Sequence, residues 1–279
     1  MSESSLQLAF QVSGPENAPS IVFLHGGGLG LWMWQPVFAH LADYHCLTPD
    51  QPEHGGSRAI QPFSMALAAE KVAELIRSQA HGGKACVVGL SEGAQIAVQV
   101  LASAPEVVEK AVVSSALLLP VPGLGWAKSP VMLAWSYRIS IPPFRNVDWW
   151  IRLNMKYAAG IPDVFYPEFK KDFQEMTESE FVNLMLANQN YRMPSGLDKA
   201  TAPTLVLAGR KEYPAMKQSV RNLVAALPNA RGGLINLGRR FSMAKEHSWA
   251  LTAPDKFAAA VQAWIENQPL PAEIESLQG

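Results

Sequence analysis

Hydrophobic positions follow two rhythms along this chain. Short apolar runs stop abruptly at glycine or proline turns, and the longer stretches between them carry apolar residues at helical spacing. The stretch 6–12 alternates and predicts an edge strand, and the runs 20–24, 45–48, 84–90, 110–114, 204–208 and 233–237 predict further strands. Stretches 65–79, 93–102 and 254–265 predict helices. Strands alternating with helices imply βαβ units and an α/β fold: a mostly parallel twisted sheet with helices on both faces. Ligands of such sheets bind beyond the carboxyl ends of the strands, where the glycine-bearing turns at 25–28 and 209 fall.

The rhythm breaks over 119–199. No strand pattern occurs there, while Trp126, Trp135, Trp149, Trp150 and many methionines do, and Phe169, Phe173, Met176 and Phe181 fit helical spacing loosely. The segment predicts an inserted helical lid (119–199) packed over a core formed by 1–118 and 200–279.

Composition narrows the function classes. A chain of 279 residues accommodates one large α/β domain with an insertion. Charged residues make up 17%, below the roughly 25% usual in globular chains, so much of the chain is expected to be core or pocket wall. A net charge of −1 leaves no electrostatic footprint for nucleic acid or an anionic membrane. Cys46 and Cys86 fall in predicted strands without CxxC spacing, so they read as buried free thiols rather than a disulfide framework or metal site. The opening Met1-Ser2-Glu3-Ser4-Ser5 has no basic n-region, and the longest apolar stretch, 111–127, is broken by Pro120, Pro122, Gly123 and Gly125. Neither a signal peptide nor a membrane span is expected, which predicts a cytoplasmic protein; a monomer or homodimer and no cofactor are separate expectations.

The run 84–90 leads into Gly89-Leu90-Ser91-Glu92-Gly93, a G-x-S-x-G pattern that continues directly into a helix. That order is what a nucleophile elbow requires, a tight strand-to-helix turn exposing one serine hydroxyl. Glycines flank it because the turn brings backbone segments too close for a Cβ. The hydroxyl needs a base within hydrogen-bond reach, usually a histidine oriented by a buried carboxylate. His247 follows the last predicted core strand and precedes the closing helix, so it can overhang the carboxyl edge of the sheet. His25 and His54 lie in glycine-rich turns and read as structural braces; His40, His45 and His81 lie in surface-like or strand contexts. Glu212 is the first acid past the strand 204–208, whereas its rivals Asp198 and Glu246 do not directly follow a strand. The peptide N–H groups of Glu92, at the helix start, and Gly27 are the expected oxyanion donors. The Glu92 side chain reads as an acid favoured by the helix dipole.

Together these residues resemble the α/β-hydrolase superfamily, in its lid-bearing group of esterases, lactonases and carbon–carbon bond hydrolases. Phe23-Leu24-His25-Gly26-Gly27 looks like the oxyanion turn of that family, followed by Met33-Trp34 in its first helix. Pro49-Asp50-Gln51-Pro52-Glu53-His54-Gly55-Gly56-Ser57 resembles its P-D-x-P-G-H-G-x-S loop, 203–209 its acid-bearing strand and 247–257 its histidine loop and last helix. The likeness covers about 1–118 and 200–268. The order Ser91, Glu212, His247 is the nucleophile–acid–histidine order of this superfamily. Three departures stand out: glutamate at 212 where aspartate is commoner, Glu53 in place of the usual glycine before His54, and no glycine–histidine approach within 238–246.

The resemblance implies a serine hydrolase with a Ser91–His247–Glu212 triad, acting on a small, largely apolar or aromatic ester, lactone or thioester. A carbon–carbon bond hydrolase for a vinylogous diketone is the alternative chemistry, and a binding or receptor-like protein with little turnover the alternative class. A hydroxynitrile lyase or cofactor-free oxygenase stays open, whereas a haloalkane dehalogenase would need aspartate at 91. Gly28 and Trp32 from the core, with lid residues from Trp126 to Trp150, Trp126, Trp135 and Trp149 among them, are the expected pocket residues. Few fixed cations occur in the lid, which disfavours a strongly anionic substrate.

Overall fold

The computed structural model describes residues 6–123 and 125–277; the opening 1–5, read above for a leader, lies outside them. Its strands are β1 (Phe10–Ser13), β2 (Ser20–Leu24), β3 (His45–Pro49), β4 (Ala85–Leu90), β5 (Val108–Ser114), β6 (Thr204–Gly209), β7 (Ala230–Ile235) and β8 (Ile274–Ser276). They form one sheet in the order β1-β3-β2-β4-β5-β6-β7-β8. Pairings from β3 to β7 are parallel, and the antiparallel β1 and β8 close the two edges. The helices are α1 (Gln35–Phe38), α2 (Met65–Gln79), α3 (Glu92–Ser103), α4 (Pro130–Ser140), α5 (Asp148–Leu153), α6 (Tyr166–Glu175) and α7 (Glu178–Asn190). They continue with α8 (Pro214–Ala226), α9 (Met243–His247), α10 (Trp249–Thr252) and α11 (Pro254–Ile265).

Strands β2, β3, β4 and β6 are buried at every position. Helices cover both faces, which is why these strands read as unbroken apolar runs. The period of two still sorts their side chains. Val22, Leu24 and Val87 join Val72 and Ile76 of α2 and Ile96 of α3 on one face. Ile21, Phe23 and Val88 join Trp34, Phe257 and Val261 on the other. Cys46 and Cys86 are free thiols on this second face, and burial pushes each up to about 12.

Strand β2 and helices α2 and α11 have the bounds expected from the sequence. Strand β7 starts at Ala230 rather than 233, because parallel pairing of Thr204 with Ala230 recruits Arg231 and Gly232 into the ladder. Strand β8 is short and polar and exists through its pairing with the free edge of β7, a condition no local pattern announces. Between β5 and β6 the described residues hold α4 to α7 and no strand, as the broken rhythm predicted. No helix among the described residues is long and apolar enough to cross a membrane.

The junction of β4 and α3 is packed to the limit. A Cβ on Gly93 would lie 2.0 Å from the Leu24 carbonyl oxygen, and one on Gly89 would lie 2.2 Å from the Gly93 carbonyl oxygen. These contacts are with backbone, so no side chain can move to relieve them. We expect Gly93→Ala to cost about 3 kcal/mol or more, read as a drop in the urea midpoint. An unchanged midpoint would show that α3 shifts freely on β2.

Candidate active site

Ser91 occupies the turn between β4 and α3 with φ 59 and ψ −115, and its N–H donates to the Ser114 carbonyl at 2.9 Å. A non-glycine residue in this region costs of order 1–3 kcal/mol and persists only where the surroundings over-determine it. Here the close-packed glycines on either side do so. The side chain is thereby lifted out of the sheet, partly exposed, at the head of α3.

Two carboxyl-end loops bring an acid and a base to the same place. His247 ends α9, whose Ser242 hydroxyl caps it by accepting from the Lys245 N–H. The Nδ1–H of His247 donates to Glu212 Oε1. Glu212 is 4% exposed, and its Oε2 accepts from the Gly209 N–H at 2.8 Å and the Ser115 hydroxyl at 3.1 Å. All of this fixes one tautomer, and Nε2 is left for the cavity that Ser91 and His247 both line. Burial disfavours the imidazolium, but the Glu212 charge and hydrogen bond outweigh it, and the His247 pKa is raised above its ordinary value. The longer arm of glutamate thus reaches the ring from the loop after β6.

The rival acids have other places. Glu246 is fully buried and accepts from the Lys211 N–H at 2.7 Å and the Leu237 N–H at 3.4 Å, tying the Glu212 loop to the helix that carries His247. Asp198 is exposed. Ser115 was not anticipated from the sequence. It directly follows β5, a strand-end signal that could have found it, and holds φ 64 while its hydroxyl braces Glu212.

The turn after β2 is held by two neutral histidines. His25 Nε2 accepts from the Gln51 N–H at 3.1 Å, and His54 Nε2 accepts from the Gly28 N–H at 3.1 Å. Burial pushes His25 down to about 4; burial and the neighbouring His25 push His54 down to about 3. Both therefore remain acceptors at neutral pH and act as braces. The Gly27 N–H has no protein acceptor among the described hydrogen bonds. The Glu92 N–H, at the first position of α3, is one of the donors a helix leaves without an internal acceptor.

The Glu92 side chain lies beneath this turn. A Cβ on Gly27 would sit 3.0 Å from Glu92 Oε2, so the absence of one at 27 makes room for the carboxyl. The carboxyl is fully buried, neither oxygen has a partner among the described residues, and burial pushes its pKa up to about 8. It is a neutral acid in the core rather than a charge serving the helix dipole.

Two adjoining hollows of about 580 and 390 Å³ meet at Ser91, Ala158 and His247. Gly28 lines the larger. Trp32, Trp126, Trp135 and Trp149 line neither one, which corrects the sequence reading at those four positions. Trp32 is 7% exposed, stacks on Phe165 and donates from Nε1 to Asp172 at 2.7 Å, fastening the insertion to the core. Trp126, Trp135 and Trp149 are 45%, 57% and 61% exposed on the outside. Helical rotation explains two of them: Leu133 and Tyr137 form the buried face of α4 and Ile151 that of α5, which turns Trp135 and Trp149 outward. Trp150, one residue further, lines the larger hollow with Phe169, Phe173 and Phe181.

Glu53 takes the left-handed φ of 62 at the position where glycine is usual, and its carboxylate accepts from the Asn183 amide at 3.0 Å on α7. Arg58 beside it pairs with Glu175 and Glu180 of the insertion. Among the described residues no group of three or more His, Cys, Asp or Glu side chains is placed to hold a metal ion.

A strained serine at the head of a helix, with a carboxylate–histidine pair delivered from later strand ends, defines a class of protein. A family model described as the alpha/beta hydrolase family matches residues 21–260, and the chain belongs to that family; it is an alpha/beta hydrolase enzyme. It is 28% identical over 276 residues to an AB hydrolase superfamily protein of Gibberella zeae, covering 95% of this chain and 86% of that protein. A shorter stretch of 94 residues is 37% identical to an esterase of Mycobacterium tuberculosis, covering 33% of this chain and 31% of the relative. Among solved structures, an enol-lactonase from Burkholderia xenovorans LB400 superposes with a TM-score of 0.71 at 20% identity, covering 93% of this chain and 96% of that one. At that identity the likeness speaks for the fold.

The buried Glu92 carboxyl has a pH signature. Folded, it keeps its proton up to about 8; unfolded, it releases it near 4.5. Its contribution therefore makes the fold lose stability as pH rises through that interval, with no further loss above it. Glu92→Gln removes the slope, so the variant should gain on the parent by roughly 5 kcal/mol between the two ends. Urea midpoints of both proteins measured across the interval check this, and a constant difference between them would refute it.

Proposed function

We propose that this protein is a serine hydrolase that cleaves small carboxylic esters, lactones and thioesters included, through an acyl-enzyme on Ser91. The single observation that carries the reading is the His247–Glu212 pair, with its free Nε2 bordering the same cavity as the strained Ser91. The relative named as an esterase supports acyl–oxygen bond cleavage.

In this reading Nε2 of His247 takes the Ser91 proton as Oγ bonds to the ester carbonyl carbon. Glu212 keeps the ring in the Nδ1–H tautomer and stabilises the imidazolium. The N–H groups of Gly27 and Glu92 donate to the oxyanion. Collapse breaks the bond to the alcohol oxygen, which leaves with the proton from His247. A water deprotonated by the same nitrogen then attacks the acyl-enzyme, and Ser91 recovers its proton as the acid departs. Helices α4 to α7 roof the cavity and act as a lid.

Ser91→Ala should lower turnover of an aryl acetate by about 10³-fold or more with the fold retained by circular dichroism. It should also abolish labelling by a fluorophosphonate probe. Full turnover by this variant would end the proposal. Because the base must be neutral, kcat/KM should rise with pH through an apparent pKa above the ordinary histidine value. Glu212→Gln should move that pKa down and reduce kcat about 10²–10⁴-fold. A profile that keeps its midpoint in the variant would remove Glu212 from the proposed triad.

A further inference from the structure

Resting on the ester-hydrolase reading, we propose that the cavity sorts its substrate by ends: an uncharged aromatic acyl group occupies the larger hollow, and a compact, uncharged, hydroxyl-bearing alcohol occupies the smaller one. The direction of sorting follows from the proton. The imidazole that accepts the Ser91 proton must return it to the leaving oxygen, so the alcohol departs on the side built from the loops of His247 and Glu212. His247 borders both hollows, but Glu212, Tyr213, Met243 and Ala244 from these loops line the smaller one, whereas the turn 26–28 lines the larger. The acyl group then lies on the opposite side, against the turn 26–28 and the inner faces of α6 and α7, which is the larger hollow.

The two walls differ in chemistry as well as size. Around the larger hollow stand Trp150, Phe169, Phe173 and Phe181, with the Phe169 and Phe173 rings stacked at 6.3 Å. Ring faces and edges on several sides favour an aromatic guest, since aromatic pairs add to the burial energy through offset and edge-to-face contacts. The smaller hollow has an aliphatic wall of Leu117, Val121, Met216 and Met243, with hydrogen-bonding groups set among them, the phenols of Tyr157 and Tyr213 and the carboxamide of Gln189. Among the described residues no lysine or arginine lines either hollow. A carboxylate carried on the acyl end of the ester would sit among aromatic rings without a counter-charge, at a large desolvation cost. The site therefore selects against half-esters of dicarboxylic acids.

Two isomeric esters separate the ends while keeping every atom: 2-hydroxyethyl phenylacetate, with the ring on the acyl side, and benzyl 3-hydroxypropanoate, with the ring on the alcohol side. The first should show a kcat/KM at least about tenfold higher, the discrimination typical of a mismatched apolar pocket. Monoethyl adipate should be hydrolysed more slowly than diethyl adipate by a similar factor. Phe173→Ala should shrink the ratio between the isomers. Equal or reversed rates, or hydrolysis of p-nitrophenyl acetate with neither isomer accepted, would overturn the sorting and leave the hydrolase reading standing. No turnover of any ester together with no fluorophosphonate adduct on Ser91 would overturn both.

Discussion

The contact between the Leu24 carbonyl of β2 and Cα of Gly93 governs the rest of the site. With no Cβ at 93, α3 starts directly against the end of β2. Gly89 lets the same helix turn close on β4. With strand, turn and helix locked this tightly, Ser91 has one conformation open to it, the left-handed one. The first free N–H of α3 is set beside the turn 25–28 by the same packing. The pose of Ser91 and the place of the free N–H at the head of α3 are thus consequences of one close approach, and the strain at Ser91 is offset by the core on which β2, β4 and α3 pack.

Around this point the fold spends polar groups on holding loops rather than on binding. Of the four non-glycine residues with positive φ among the described residues, Glu53, Ser91 and Ser115 all lie just beyond strand carboxyl ends, where strained residues are expected to gather. Ser115 braces Glu212, Glu246 ties the Glu212 loop to α9, and two neutral histidines hold the turn after β2. Glu53 and Arg58 reach across to the helical insertion. The positions at which this chain departs from the family pattern are therefore used. Glutamate at 212 spans a longer path to the ring, and Glu53 adopts the backbone that glycine would otherwise supply and docks α7.

Much of this was legible in the amino-acid order. The core strands were readable because burial on both faces demands continuous apolar runs, and α2 and α11 because their apolar spacing is helical. Ser91, Glu212 and His247 could be named because each follows a strand, and strand ends in a parallel sheet converge on one edge. Less was legible in the insertion. Its tryptophans were expected to face the cavity, yet a rotation of about 100° per residue turns Trp149 outward and Trp150 inward. No composition argument resolves neighbours of the same type.

What the sequence determined by itself is local or edge-directed: which runs become strands, where the tight turn must be, and the order in which acid and base arrive. What only the tertiary structure decided is everything that depends on a partner distant along the chain. The β7 register and the existence of β8 come from ladder pairing, the bracing role of Ser115 from its contact with Glu212, and the neutral state of Glu92 from complete burial beneath Gly27. The gathering of Trp150, Phe169, Phe173 and Phe181 around one hollow belongs here too. It depends on which faces α5 to α7 turn toward Ser91, and that is settled by packing across the sheet edge rather than by any spacing within the helices.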